Sequence, residues 1–87
     1  MRDNTEKHRF EAEEDGKPVF ADYRIRDDIY HLTHVEADPA LRGTGAAGRL
    51  MQAIADHARG QGLKLRPRCP YAVVWFARHP DAQDVTA

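Results

Sequence analysis

The eight residues Leu41-Arg42-Gly43-Thr44-Gly45-Ala46-Ala47-Gly48 constrain this chain more than any other stretch. Three glycines and two alanines leave a backbone almost bare of side chains. Such a segment turns sharply and lets its N–H groups approach a ligand closely. It lies between a strand-like run and a helix-like one. A helix N-terminus carries orphan amides and about half a positive charge, so this junction favours phosphate oxygens. Arg42 adds a cation at the entrance. Alone, the loop is a generic anion cradle, and its flanks decide what it holds.

Before the loop, residues 8–14 alternate weakly and predict a first strand. Asp15-Gly16-Lys17-Pro18 is a turn, since Asp-Gly favours hairpins. Residues 19–26 alternate cleanly, with Val19, Ala21, Tyr23 and Ile25 on one face and Phe20, Asp22, Arg24 and Arg26 on the other. Asp27-Asp28 makes a second tight turn. Residues 29–37 are rich in Ile, Tyr, Thr and Val and predict a third strand, which Asp38-Pro39 breaks. Strict alternation puts Tyr30, Leu32 and His34 on one face of it and His31 on the other. Short turns imply an antiparallel meander.

After the loop, Ala47, Leu50, Met51, Ile54 and Ala58 recur at helical spacing, with Arg49, Gln52, Asp56 and Arg59 largely elsewhere. Gly60 and Gly62 stop that helix. Gly48, inside its first turn, costs about 1 kcal/mol relative to Ala, which a close approach of backbone to ligand or strand would explain. Residues 63–66 predict a short strand, and the helical crossover before it permits parallel pairing with the third. Tyr71 to Arg78 predicts a short helix anchored by Trp75 and Phe76. Residues 81–87 are expected to be a frayed polar tail. The fold class is therefore α/β (α+β), a mixed sheet in which a β-meander precedes a β-loop-α-β-α unit.

Composition narrows the function classes. Eighty-seven residues fit a single small domain over 1–87, with a core of about 8–80. Hydrophobic residues at 41% and charged residues at 31% describe a globular protein. No apolar run reaches the roughly 18–20 residues of a membrane span, Met1-Arg2-Asp3-Asn4 is no secretory signal, and a cytoplasmic protein is expected. A single cysteine, Cys69, excludes an internal disulfide framework and paired-cysteine zinc sites. His8, His57 and His79 have no partners at metal-ligand spacing, so no metal is expected. Net charge is −1, yet residues 1–38 hold six Lys/Arg against eleven Asp/Glu, while residues 39–80 hold seven against one. The basic half carries the loop, which suits an anionic ligand.

The loop is not a Walker A motif, since no Gly-Lys-Ser/Thr follows, and an antiparallel sheet before it argues against the dinucleotide fingerprint. The pattern Arg-x-x-Gly-x-Ala from Arg42 to Ala47, between a strand and an amphipathic helix, resembles the pyrophosphate-binding motif of the GNAT superfamily of N-acetyltransferases. His34 in Thr33-His34-Val35-Glu36-Ala37-Asp38-Pro39, and Cys69 in Pro67-Arg68-Cys69-Pro70-Tyr71, resemble the matching positions of a minimal single-domain GNAT subgroup. The likeness covers residues of about 8 to 80. It implies a splay between the last two strands and acetyl-coenzyme A as co-substrate. It also implies transfer of an acetyl group to an amine, on a small molecule, peptide or protein.

Under that resemblance, backbone groups of Gly43, Thr44, Gly45, Ala46 and Ala47 hold the pyrophosphate, with Arg42 adding charge. Main-chain groups of Val35 and Ala37 pair with the pantetheine arm like an extra strand. His34 and Cys69 face the thioester as the candidate catalytic residues. His34 suits a base because an unperturbed imidazole titrates near neutrality, though strand histidines also serve packing. Cys69, near Arg66 and Arg68 and just before a helix, suits an acetyl-accepting thiolate, but a lone cysteine is commonly a small buried hydrophobe. Direct transfer, with Cys69 lining the pocket, is preferred. Tyr71 is a candidate proton donor to the departing thiolate, and Glu36 a base acting through water. Two alternatives stand beside this reading. One is a coenzyme A-binding module without transferase activity. The other is a nucleic-acid or protein interaction domain, disfavoured because aromatics are few, at 8%, and not interleaved with the cations.

Overall fold

Apolar residues at every second position give one sheet a buried face and an open one. The computed structural model describes residues 1–87. It holds five strands, β1 (Arg2–Asn4), β2 (Arg9–Glu14), β3 (Lys17–Arg26), β4 (Ile29–Ala37) and β5 (Lys64–Pro67), in sheet order β1-β2-β3-β4-β5. Neighbours are antiparallel from β1 to β4, and β4 pairs with β5 in parallel. Two helices, α1 (Ala46–Gln61) and α2 (Pro70–Ala77), pack on one face. Phe10, Val19, Ala21, Tyr23, Leu32 and Leu65 from the sheet meet Leu50, Met51, Ile54, Ala55 and Ala58 from α1 there, with Ala72, Trp75 and Phe76 from α2. No helix covers the other face, where Arg9, Glu11, Phe20, Asp22, Arg24, His34 and Glu36 lie half-buried or exposed. No helix is long and apolar enough to cross a membrane.

The mixed sheet and the β-loop-α-β-α order match the sequence-based expectation. The splay is also present: β4 and β5 pair only from Ile29–Lys64 to Leu32–Pro67. Beyond that point the Leu32 carbonyl accepts from both Arg68 N and Cys69 N, at 2.9 and 3.2 Å, and the chains part. The last five residues of β4 therefore keep a free edge.

One expectation fails inside β4. Asp22 pairs with His34 but Tyr23 pairs with Leu32, so Thr33 is an extra residue, a β-bulge. The bulge resets the alternation. Tyr30 and Leu32 face the core, as do Val35 and Ala37, whereas His34 joins His31 on the open face. The placement of His34 with Tyr30 and Leu32, opposite His31, is thus corrected.

The ends of the chain differ as well. Residues 2–4 add β1 to the sheet edge, and Asp3 accepts a hydrogen bond from the buried Tyr23 hydroxyl at 2.6 Å. Residues 81–87 are not frayed. Pro80–Val85 form a 3-10 helix whose Ala82 and Val85 are 1% and 2% exposed, and Ala87 N donates to Leu65 O at 2.8 Å. Gly60 lies within α1, and Gly62 alone ends it at φ 69°, its N–H bonded to Ala58 O.

The Asp27-Asp28 turn carries local strain. Both residues have positive φ, 55° and 64°, in a two-residue connection between β3 and β4. That geometry favours Asn-Gly, because a Cβ in the left-handed region costs about 1–2 kcal/mol. Glycine returns part of this as unfolded-state entropy. Asp28→Gly is expected to stabilise the chain by about 0.5–1 kcal/mol, read as a rise of a few degrees in melting temperature.

Candidate active site

The loop after β4 is built around two left-handed glycines. Gly43 and Gly45 adopt φ 76° and 85°, with Thr44 between them. The Thr44 hydroxyl donates to Leu41 O at 2.5 Å and accepts from Ala46 N at 3.3 Å, so this side chain braces the loop from within. Gly45 is the N-cap of α1 and has no side chain to satisfy the first amides. The N–H groups of Gly43, Gly45, Ala47 and Gly48 donate to no group of the chain. They form a bare donor cluster at the positive end of a sixteen-residue helix. Of the sequence-predicted set, Thr44 and Ala46 are the exceptions: the Thr44 amide donates to Leu41 O at 3.1 Å and the Ala46 amide to the Thr44 hydroxyl.

Two cations border this cluster. Arg42 is exposed and makes no ion pair. Arg49, expected only on the polar side of α1, is the functional candidate that sequence reasoning passed over. Its Nε and Nη2 bind Glu14 at 2.9 and 2.6 Å, which holds the Glu14 carboxyl below its usual range. The remaining nitrogen, Nη1, hangs beside Gly45, where a Cβ would stand only 3.0 Å from it. An arginine in the first turn opposes the helix dipole, and that local conflict is the readable signal.

The free edge of β4 begins beside the bulge. Asp38 N donates to Pro18 O, so in the antiparallel register Glu36 directs its backbone groups at β3. Val35 and Ala37 then point theirs away from β3, toward the gap that β5 leaves. These are main-chain donors and acceptors without a strand to pair with, the requirement for an extended amide-bearing ligand to add as a strand.

His34 and Cys69 flank this gap from opposite sides of the sheet and do not touch. His34 is about half exposed on the open face, 6.2 Å from the Phe20 ring, and its Nε2 lies 3.0 Å from Glu36 Oε1. A carboxylate only accepts, so Nε2 carries the hydrogen of this bond, and in the neutral tautomer that fits it the lone pair lies on Nδ1. Glu36 therefore orients His34. Cys69 is 9% exposed at the N-cap of α2, and its sulfur accepts from Ala72 N at 3.4 Å. Pro70 follows at the first helical position, where its missing N–H is harmless.

Tyr71 connects these parts. Its hydroxyl lies 3.7 Å from where a Gly48 Cβ would be, so it stands over the first turn of α1. Burial and, after it, the Cys69 sulfur push its pKa up, which keeps the phenol protonated near neutrality. The Trp75 indole nitrogen lies 3.8 Å from the same point, so what faces Gly48 is α2 at ordinary contact distance, and no strand packs close against it. No group of three or more His, Cys, Asp or Glu side chains is arranged to hold a metal.

The profile of the GCN5-related N-acetyl-transferase family matches residues 9–85. Among solved structures, the NMR solution structure of a GCN5-like protein from Staphylococcus aureus superposes with a TM-score of 0.63. The two chains are 21% identical, over 90% of this chain and 87% of that one, a likeness of fold. No curated protein matches the chain in sequence. A family profile spanning β2 to the C-terminal turn, on a sheet of this topology, assigns the chain: it belongs to the GCN5-related N-acetyltransferase family.

Proposed function

We propose that the chain is an acetyl-coenzyme A-dependent N-acetyltransferase acting by direct transfer. The observation that carries this reading is the continuity of two unpaired donor sets, the loop amides and the free edge at Val35 and Ala37. They suit the two parts of one ligand, a pyrophosphate and an amide-bearing arm. Acetyl-coenzyme A supplies the activated acetyl group as a thioester. The amides of Gly43, Gly45 and Ala47 hold the pyrophosphate, with Arg42 and the free nitrogen of Arg49 adding charge. Val35 and Ala37 position the arm so that its thioester reaches the gap between β4 and β5.

His34 then takes the proton of an acceptor amine on Nδ1, while Glu36 holds the ring and stabilises the charge that develops. The amine nitrogen bonds to the carbonyl carbon as the carbon–sulfur bond breaks. Tyr71 donates a proton to the departing sulfur. Cys69 lines the core side of the gap. Its burial and its distance from the open face favour that role over nucleophile.

Intact-mass and steady-state measurements with acetyl-coenzyme A test this division of labour. His34→Ala is expected to lower kcat by about 100-fold or more, the usual contribution of a general base. Cys69→Ser keeps most of the activity, and the wild-type chain stays unmodified in the absence of an amine. An acetyl group lodged on Cys69 overturns direct transfer. Calorimetry that finds no acetyl-coenzyme A binding overturns the reading altogether.

A further inference from the structure

The open face of the sheet carries a trough of about 860 Å³, whose lining includes Lys7, Arg24, Arg26, His31, Thr33 and Arg68. Its only acid is Asp22, and that carboxylate is tied to Arg9 at 2.7 Å. None of Lys7, Arg24, Arg26 and Arg68 forms an ion pair; the chain's ion pairs involve Arg2, Arg9, His34, Arg49 and Arg59 instead. Four uncompensated cations thus converge on one surface of a chain whose net charge is −1. His31 reports the resulting potential. Burial and then the guanidiniums of Arg68, Arg66 and Arg26 push its pKa down, and its Nδ1 accepts from Arg68 Nε at 3.1 Å.

The trough adjoins the reacting centre. Thr33 is the bulge residue immediately before His34, and Asp22 is the cross-strand partner of His34. Arg68 donates its backbone N–H to Leu32 O where β4 and β5 part. An amine that comes to His34 from the side of Thr33 and Arg68 lies over this basic surface. A free ammonium would be repelled there, unless the molecule carrying it is itself anionic.

We propose, building on the acetyltransferase reading above, that this trough binds the acceptor as an acidic peptide segment, with carboxylates beside the amine that is acetylated. The cations hold the flanking carboxylates and at the same time disfavour the protonated form of the amine, which releases the neutral nucleophile that transfer needs. Size suits a short extended segment. Nucleic acid fits less well: Tyr23 is 3% exposed, which leaves only the imidazoles of His8 and His31 as accessible rings, and exocyclic base amines are poor nucleophiles.

Fluorescence anisotropy with two labelled lysine-containing peptides, identical but for flanking Glu or Gln, tests the site without turnover. The Glu peptide is expected to bind at least about tenfold more tightly at low salt, and to lose that advantage as salt rises. The double variant Arg24→Glu/Arg26→Glu removes the preference, as does Lys7→Glu; all three side chains are exposed, and melting curves check that each variant folds. With acetyl-coenzyme A present, kcat/KM is expected to follow the same order. Equal binding of the two peptides overturns the proposal, and so does an oligothymidylate that binds more tightly than the Glu peptide. A protein that discriminates the peptides but binds no acetyl-coenzyme A sinks the transferase reading and leaves the trough standing as an acidic-peptide site. One that binds acetyl-coenzyme A without discriminating refutes the trough alone.

Discussion

Gly45→Val is expected to lower the affinity for acetyl-coenzyme A by about 100-fold or more, roughly 2.7 kcal/mol, while the chain still folds. Gly45 holds φ 85° as the N-cap of α1. A β-branched residue there costs of order 1–3 kcal/mol in backbone strain alone. Its Cβ would stand 3.0 Å from Arg49 Nη1, and Arg49 cannot yield cheaply because Glu14 grips its other two nitrogens. Either the loop opens and disperses the amides of Gly43, Gly45 and Ala47, or Arg49 leaves and takes its charge from the site. A domain of this size has about 4–13 kcal/mol of stability, so a loss of about 2–3 kcal/mol leaves a folded majority. Gly48→Ala makes the contrast. Its Cβ meets the Tyr71 hydroxyl and Trp75 indole at 3.7 and 3.8 Å, ordinary contacts, and helix propensity favours Ala by about 1 kcal/mol. That variant gains stability and keeps its affinity. Calorimetric titration and urea unfolding of both variants measure the difference; wild-type affinity in Gly45→Val would falsify the assignment of the loop as the phosphate cradle.

The loop was legible because its information is local: only glycine adopts φ near 80° without penalty, so two glycines around Thr44 announce the turn. The clean alternation from Val19 to Tyr23 announced its strand in the same way. The bulge at Thr33 was not legible. Leu32-Thr33-His34 contains nothing that marks it, and the extra residue exists only by register with Asp22 and Tyr23 on the neighbouring strand. Since side-chain facing has a period of two, that single insertion moved His34 to the other side of the sheet. Electrostatics were hidden for a similar reason. The basic stretch 39–80 loses Arg49 to Glu14 and Arg59 to Asp84, partners 35 and 25 residues away. Meanwhile Lys7, Arg24 and Arg26, drawn from the acidic stretch, gather beside Arg68. Charge counted along a chain predicts a surface only where charges find no distant partners. At β1, Arg2-Asp3-Asn4 lacks strand propensity altogether, and pairing with β2 overrides it.

The C-terminal segment yields the second large effect, and it turns on two valines of identical chemistry. Val85 is 2% exposed and packs in the main core, whereas Val73 on α2 is 47% exposed. Val73→Asp should shift stability by no more than about 0.5 kcal/mol, the range of surface changes, helped by an acid in the N-terminal half of a helix. Val85→Asp confronts the core with a carboxylate. Fully burying that charge would cost far more than the chain can bear, so the segment is expected to detach instead. Detachment caps the loss at what docking contributes. Val85 and Ala82 leave the core, the Leu65–Thr86 bridge and the Gln83 Nε2 bond to Phe76 O break, and Asp84 releases Arg59 and Lys64. At about 25 cal/mol per Å² of apolar surface, with neutral hydrogen bonds near 1 kcal/mol each, the sum is about 2–4 kcal/mol. Detachment also exposes surface before global unfolding begins. Urea titration should therefore show a lower midpoint together with a smaller m-value in Val85→Asp, and neither change in Val73→Asp. A midpoint unaltered in Val85→Asp would mean that Pro80–Val85 contributes nothing to the core, and an unaltered m-value that the segment stays docked around the charge.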